Sequence, residues 1–165
     1  MEYINLHIIA TGGTFEKHYD EITGELVFIS SHIPAMMERA RVSRSYSFEE
    51  LSMLDSLDMQ EDDRENILKS CHETPADRVV IVHGTDTMQD TAAVLGKAAL
   101  KKTIVLTGAM IPYEFDHSDA FFNLGFAVSA VQLLPIGVYI LMNGQIFEWD
   151  KVTKNRRAGV FEAVS

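Results

Sequence analysis

Four short runs of β-branched and other apolar residues recur along this 165-residue chain, and segments with helical spacing separate them. The runs are Ile4–Ala10, Val79–Val82, Thr103–Leu106 and Ile136–Leu141. Three of them are nearly all apolar and show no polar alternation, which is typical of strands covered on both faces. Strands that alternate with helices form right-handed βαβ units. The sequence therefore predicts an α/β fold with a mainly parallel sheet flanked by helices on both faces.

Helices are predicted where apolar residues recur every three or four positions, over Glu61–Glu73, Thr87–Leu100 and Asp119–Leu133. The first helix opens with acidic residues, which suit the positive end of a helix dipole. The second opens with Thr87-Met88-Gln89-Asp90, which resembles a capping box. Residues 41–54 fit either a helix capped near Ser47 or a strand, and we favour a strand that enters a loop at Leu54–Met59. Asn143-Gly144 indicates a hairpin turn.

The segment Phe15–Ile29 has a different pattern from its neighbours. It contains the turn signal Thr23-Gly24 between Tyr19 and the apolar residues Val27, Phe28 and Ile29. This pattern predicts a mobile β-hairpin flap after the first strand, lying over the turn that follows that strand.

Length and charge limit the class of protein. A chain of 165 residues predicts a single domain spanning 1–165. The net charge of −10 opposes binding to nucleic acid and to an anionic membrane. The first residues lack the basic segment of a signal peptide, and the lone Cys71 agrees with a reducing compartment. We therefore expect a cytoplasmic protein with no nucleic-acid or membrane partner.

Two turns of small residues each follow an apolar run. The first is Thr11-Gly12-Gly13-Thr14 and the second is His83-Gly84-Thr85-Asp86-Thr87. Ligands of open α/β sheets bind beyond the carboxyl ends of the strands, so both turns are expected to face one pocket. A threonine hydroxyl needs a base or a positioned partner to act as a nucleophile, and Tyr19 is a candidate for that help. Asp86 is a candidate to hold a substrate ammonium group or to orient a proton carrier. The pattern favours Thr14 as a nucleophile.

Each of these residues also has a purely structural interpretation. Thr14 can cap a strand-end turn, and Asp86 or Thr87 can cap the next helix. His83 is expected to be a hydrogen-bonded core histidine rather than a general base. Lys154 belongs to a basic cluster with Lys151, Arg156 and Arg157 that can be solvated, unless the tail folds back beside Asp86, where a desolvated lysine can act as a base. No metal-ligand spacing and no phosphate-binding motif is present, so neither metal nor nucleotide is expected.

Taken together, Ala10–Thr14 and His83–Met88 resemble the two signatures of the bacterial-type L-asparaginase family. Further similar segments are Asp55–Met59, Thr107–Met110 with Pro112, Ser118-Asp119 with Phe122–Leu124, and Val152–Asn155. The resemblance covers nearly all of the chain, but it corresponds only to the N-terminal domain of the family. It implies a short, single-domain form that hydrolyses L-asparagine to L-aspartate and ammonia without a cofactor, and that self-associates as a dimer or larger assembly.

The same resemblance assigns roles to residues. Thr14 is the implied nucleophile, and Tyr19 matches a flap tyrosine that assists it. Thr85, Asp86 and Lys154 match a second catalytic set that supports proton transfer. The implied substrate-binding residues are Gly13, Ser56, Asp86 and Ala109, with Asp86 on the α-amino group, Ser56 on the α-carboxylate, and the N–H groups near Thr85 and Ala109 on the oxyanion. The implied route is a double displacement through an aspartyl ester on Thr14.

Two features depart from the family pattern. Longer members take an acidic contact to the substrate ammonium from the C-terminal domain of a neighbouring protomer, and Leu57 replaces a common glutamine. Both departures affect which amide the site would prefer as substrate: asparagine, glutamine or another amide. Two other functions stay open: a non-catalytic amino-acid-binding module, and the amidase component of a tRNA-dependent amidotransferase.

Overall fold

The computed structural model describes residues 5–165, which form ten strands and four α-helices. In chain order these are β1 Leu6–Gly12, β2 His18–Asp20, β3 Glu25–Val27, α1 Ile33–Arg39, β4 Ser47–Leu54, α2 Glu61–Glu73, β5 Arg78–Val82, α3 Met88–Ala98, β6 Thr103–Thr107, α4 Ala120–Ala130, β7 Gly137–Met142, β8 Gln145–Glu148, β9 Val152–Asn155 and β10 Val160–Ala163. The main sheet has the order β4-β1-β5-β6-β7-β8. Only its edge strand β8 is antiparallel, so the predicted mainly parallel α/β architecture is confirmed.

Most predicted elements match the structure to within a few residues. All four apolar runs are strands, although Ile4 lies outside the described residues. Within the segment 41–54, for which a strand is favoured, β4 confirms the strand over Ser47–Leu54, whereas residues 41–46 are not in a strand. Helix α2 has the predicted bounds. The other two predicted helices are shorter than expected at both ends. Helix α1 was not predicted, although Pro34 in its first turn is a residue that helix starts accept.

Each face of the sheet carries its own apolar core. Leu6, Ile8 and Ala10 of β1 point to one core, which α1 and α4 cover. Ile9 points to the opposite core, which α2 and α3 cover. Side chains alternate across a strand, so a continuous apolar run such as β1 can serve both cores at once.

The strand order also locates the candidate site. The chain leaves β1 for β4 on one side and then returns to β5 on the other side of β1. The carboxyl ends of β1 and β5 therefore meet at the switch point of the sheet, which is where open α/β sheets bind ligands. Both small-residue turns lie at this point.

Three hairpins complete the fold. Asn143 and Gly144 take positive φ angles and join β7 to β8, as the sequence predicts. Strands β9 and β10 form a second antiparallel pair. Strands β2 and β3 form the third, with Tyr19 opposite Leu26, inside the segment predicted as a flap. The mobility of that segment stays a prediction.

Candidate active site

The two glycine turns lie in direct backbone contact. A Cβ atom at Gly13 would lie 2.5 Å from the Cα and N atoms of Gly84. Gly13 has φ 75° and ψ 179°, a region of backbone conformation that only glycine adopts readily. On its other side, Gly84 packs against Ser56, whose Cβ and Oγ atoms would lie 2.7 Å from a Cβ at Gly84. Three chain segments therefore converge at the switch point.

Thr14 begins a short 3-10 turn, Thr14–Glu16, and its side chain is half-buried. The backbone closes this turn, because the Glu16 N–H donates to Gly13 O and the Lys17 N–H donates to Thr14 O. Within residues 5–165 the Thr14 hydroxyl makes no hydrogen bond and caps no element. The interpretation of Thr14 as a capping residue is therefore wrong, and its hydroxyl is free to meet a ligand.

Lys154 joins the second turn from β9. Its Nζ donates to Thr85 Oγ1 at 2.8 Å and to Asp86 Oδ1 at 2.7 Å. The Lys154 side chain is only 8% exposed, and its backbone N–H donates to Gln89 Oε1 on α3. The tail thus folds back beside Asp86, and the alternative of a fully solvated lysine is wrong.

Thr87 and Ser56 tie the second turn to the loop after β4. The Thr87 N–H donates to Ser56 Oγ at 3.2 Å, and the Thr87 hydroxyl donates to Ser56 O at 2.8 Å. Arg64 on α2 donates in turn to Thr87 Oγ1. Because its hydroxyl is used in this way, Thr87 does not cap α3 through its side chain, and the predicted capping box with Asp90 is wrong. Ser56 is buried and held facing Gly84.

His83 serves the structure rather than proton transfer. It is fully buried, and its Nδ1–H donates to Gly84 O at 2.8 Å. Its Nε2 accepts from Thr91 Oγ1 at 2.7 Å, and burial lowers its pKa to about 4. The ring is therefore neutral at physiological pH, and the interpretation as a hydrogen-bonded core histidine is confirmed.

The turn after β6 supplies backbone donors. Gly108 in this turn packs against the backbone of His83, and a Cβ at Gly108 would lie 2.4 Å from His83 O. The carboxylate of Asp119 accepts from the N–H groups of Met110 and Ile111. In the part of the chain that the structure describes, the N–H groups of Ala109 and Thr85 make no hydrogen bond, although both residues are buried. These two donors are available to an oxyanion.

Tyr19 stands apart from this group. Its side chain is 48% exposed, and its backbone N–H donates to the Glu114 carboxylate. Among the described residues no hydrogen bond joins the Tyr19 hydroxyl to Thr14 or to Thr85, Asp86 and Lys154. The base of the hairpin is anchored to the loop before Ser56, because Lys17 Nζ lies 2.9 Å from Asp55 Oδ1.

Several contributors were not singled out from the sequence. Gln89 holds the backbone of Lys154, Asp119 shapes the turn after β6, and Arg156 Nη2 donates to Asp86 O at 3.3 Å. The sequence signals were indirect: Asp119 stands in a segment that resembles the asparaginase family and Arg156 in a basic cluster, and only the fold shows their contacts with the site. Leu57, beside Ser56, is 62% exposed. Across residues 5–165 no three His, Cys, Asp or Glu side chains are grouped to hold a metal ion.

Proteins of known family resemble nearly the whole of this chain. The family model described as Asparaginase, N-terminal, matches residues 5–164. This chain belongs to the asparaginase family. L-asparaginase 1 of Escherichia coli K12 is 29% identical over 169 residues, covering 96% of this chain and 50% of that protein. A glutamyl-tRNA(Gln) amidotransferase subunit of Methanococcus maripaludis C5 is 31% identical over 179 residues, covering 98% of this chain and 42% of that protein.

Solved structures of asparaginases share the fold. The thermostable L-asparaginase from Thermococcus kodakarensis superimposes with a TM-score of 0.84 at 27% identity, covering 96% of this chain and 50% of that one. A probable cytoplasmic L-asparaginase from Campylobacter jejuni gives a TM-score of 0.79 at 28% identity, covering 98% and 53%. The chain spans about half the length of the curated relatives it matches. Among the described residues, no helix is both long enough and apolar enough to cross a bilayer.

Proposed function

We propose that this asparaginase-family chain is an amidohydrolase that converts L-asparagine to L-aspartate and ammonia through a threonine acyl-enzyme. The observation that carries the proposal is the buried Lys154 ammonium, which bridges Thr85 and Asp86 beside a glycine turn whose Thr14 hydroxyl is free. A structural ion pair alone would not require an unbonded threonine hydroxyl and two free backbone donors at the same strand ends.

The first half of the proposed reaction forms an ester. Thr14 Oγ1 attacks the side-chain amide carbon, and its hydroxyl proton passes to the amide nitrogen by way of the Tyr19 hydroxyl once the flap closes. The negative charge that develops on the amide oxygen is stabilised by the N–H groups of Thr85 and Ala109. One such donor contributes about 3 to 4 kcal/mol to the transition state. The amide nitrogen gains a proton and leaves as ammonia.

The second half returns the enzyme to its starting state. A water molecule attacks the ester carbon, the bond to Thr14 Oγ1 breaks, and Thr14 recovers its proton. One proton of the water passes to Thr14 Oγ1 by way of the Thr85 hydroxyl, and the Lys154 ammonium, which donates to Thr85 Oγ1, holds that hydroxyl in place and supports the transfer. Aspartate then leaves.

The remaining site residues hold the substrate in this proposal. Asp86 accepts from the α-ammonium group, and Ser56 contacts the α-carboxylate, while Gly13 lets the backbone approach closely. Leu57 offers no hydrogen bond where a glutamine is common in the family. Glutamine is expected to be a poorer substrate than asparagine, because an added methylene shifts the amide carbon relative to Thr14.

Further features belong to the same proposal. The chain acts as one catalytic unit over residues 1–165, without metal or cofactor and without nucleic-acid or membrane partners. It self-associates as a dimer or larger assembly, and exposed apolar side chains such as Phe122 are candidates for the contact. It acts in the cytoplasm, in line with the Campylobacter jejuni relative, which is named as a probable cytoplasmic L-asparaginase.

The direct test is ammonia release from L-asparagine and L-glutamine by the purified chain. Thr14→Ala is expected to abolish release, and Thr74→Ala, at the end of α2, is the matched control. Circular dichroism establishes that both variants fold. Absence of release from every amide would reject hydrolysis, and activity that survives in Thr14→Ala would reject this nucleophile. Binding of asparagine without turnover would instead favour an amino-acid-binding module.

A second candidate function is the amidase component of a tRNA-dependent amidotransferase. It is favoured by the 31% identity to the glutamyl-tRNA(Gln) amidotransferase of Methanococcus maripaludis. The net charge of −10 disfavours direct contact of this chain with tRNA. Turnover of free asparagine by the isolated chain would favour the simple hydrolase, whereas turnover only with an added tRNA-binding partner would favour this second function.

A further inference from the structure

Arg156 adds a second cation to the carboxylate of Asp86. It follows β9 directly, in the turn 156–159, and its Nη2 donates to Asp86 O at 3.3 Å. Its Nε lies 3.9 Å from Asp86 Oδ1, the same oxygen that accepts from Lys154 Nζ at 2.7 Å. Two positively charged side chains therefore share one negatively charged group.

The net charge of Lys154, Arg156 and Asp86 is positive at the place where a substrate ammonium is expected to bind. Lys154 is buried and donates to both Thr85 and Asp86, which keeps its charge beside the carboxylate. The Arg156 side chain is 62% exposed, and it adds a cation at the solvent side of the carboxylate. An ammonium that approaches Asp86 is repelled by both cations, whereas a carboxylate in the same region is attracted to Arg156.

We propose that Arg156 is a specificity-determining residue, which shifts the site away from substrates with an α-ammonium group and towards anionic amides that lack it. Succinamate, which is asparagine without its amino group, is the simplest member of this class. The inference rests on the proposed amide hydrolysis and on the position of Asp86 in it. It adds the charge preference of the site to that function.

The experiment compares kcat/KM for L-asparagine with kcat/KM for succinamate. Arg156→Gln is expected to raise the asparagine-to-succinamate ratio about three- to tenfold, the size of effect expected from one partly screened charge near the ammonium. Most of this change is expected in KM, because the charge acts on binding in ground and transition states alike. Arg157→Gln is the matched control. Arg157 is the next residue in the same turn, is exposed, and makes no ion pair within residues 5–165.

Salt provides a second readout that a structural role of Arg156 would not move. The difference between the wild-type protein and Arg156→Gln is expected to shrink when the ionic strength rises from about 0.05 M to about 0.5 M. An unchanged ratio in Arg156→Gln would overturn the inference. An equal shift in Arg157→Gln would also overturn it, because the effect would then come from overall charge.

Failure of the proposed function can be told apart from failure of this inference. If neither amide is hydrolysed, the proposed reaction fails, and calorimetric binding of L-aspartate and succinate then tests Arg156 without turnover. Arg156→Gln is expected to weaken succinate relative to aspartate by a similar factor. If neither ligand binds, or if both respond equally to the substitution, the inference is overturned.

Discussion

Lys154 Nζ lies 2.8 Å from Thr85 Oγ1, although the two residues are 69 positions apart in the sequence. The contact depends on β9 lying against the start of α3, where Gln89 accepts from the Lys154 N–H. The candidate catalytic group is thus assembled by tertiary structure and not by one local motif. Removing the lysine amine should therefore impair the chemistry while leaving the sheet intact.

Lys154→Met tests this expectation. The substitution keeps most of the unbranched side chain and removes the amine that donates to Thr85 and Asp86. We expect kcat for asparagine to fall about 10²- to 10⁴-fold, the usual range for loss of a proton-transfer group. The Thr85→Val variant should lose a similar amount, and the double variant little more, because the two residues act as one unit.

Lys151→Met is the control for Lys154→Met. Lys151 lies just before β9, is exposed, and pairs with Glu148 at the surface. It should retain wild-type kcat. Fully additive losses in the Thr85 and Lys154 variants would contradict a shared role for these two residues.

Tyr19→Phe tests the flap. The hydroxyl of Tyr19 makes no hydrogen bond within the described residues, so its removal should leave the free energy of unfolding within about 0.5 kcal/mol of the wild-type value. We expect kcat and kcat/KM to fall together by about 10²-fold or more, as for an interaction made only in the transition state. Tyr139→Phe is the control, because its hydroxyl donates to Pro135 O, outside the candidate site. Unchanged kcat in Tyr19→Phe would exclude the phenol from the reaction.

Much of the fold could be predicted because its signals are local. The apolar runs of β5 and β6 and the acidic start of α2 each lie within one short segment. Helix α1 was missed because it has only seven residues, which is too short for a clear helical period. The capping box at Thr87 was wrong because Ser56, a tertiary partner, takes its hydroxyl.

In the candidate site, too, the parts with local sequence signals could be predicted and the parts that depend on tertiary structure could not. The two glycine turns could be placed together because parallel strands bring their carboxyl ends to one edge of the sheet. The position of Lys154 could not be obtained from the residues alone, because it requires β9 to pack against the start of α3. From the sequence, Arg156 was only one residue of a basic cluster, because a sequence does not show which way a charged side chain points.

Gly13→Ala tests the contact between the two turns, and Gly24→Ala is its matched comparison. Both glycines have φ near 75°, which strains an alanine at either position, and the ψ of 179° places Gly13 in a region that only glycine adopts readily. A Cβ at Gly13 would clash with Gly84, whereas a Cβ at Gly24 would meet no atom within 4 Å. We expect Gly24→Ala to lower the free energy of unfolding by about 1 kcal/mol.

Gly13→Ala should lower the free energy of unfolding by much more than Gly24→Ala does, because the two turns must separate to admit the methyl group. It should also abolish amide hydrolysis. Urea denaturation and ammonia release measure the two effects. Equal destabilisation by both alanine substitutions would show that the Gly13–Gly84 approach is not tight enough to matter.

Glu16→Gln tests a buried carboxyl two residues after Thr14. Glu16 is fully buried, accepts from Ser31 Oγ and the His32 N–H, and has its pKa raised by burial from 4.5 to about 7. At a pH between these two pKa values the carboxyl has lost its proton in the unfolded chain but keeps it in the folded protein. The free energy of unfolding therefore falls as pH rises, by at most about 3 kcal/mol.

The glutamine of Glu16→Gln cannot ionise, and it can still bond to both partners. We therefore expect urea denaturation to give Glu16→Gln a flatter stability profile from about pH 5 to about pH 8, with its largest advantage above pH ~7. The control is Glu65→Gln, on the exposed face of α2, which should follow the wild-type profile. If the profiles of Glu16→Gln and the wild-type protein are parallel, the carboxyl ionises as freely in the folded chain as in the unfolded one.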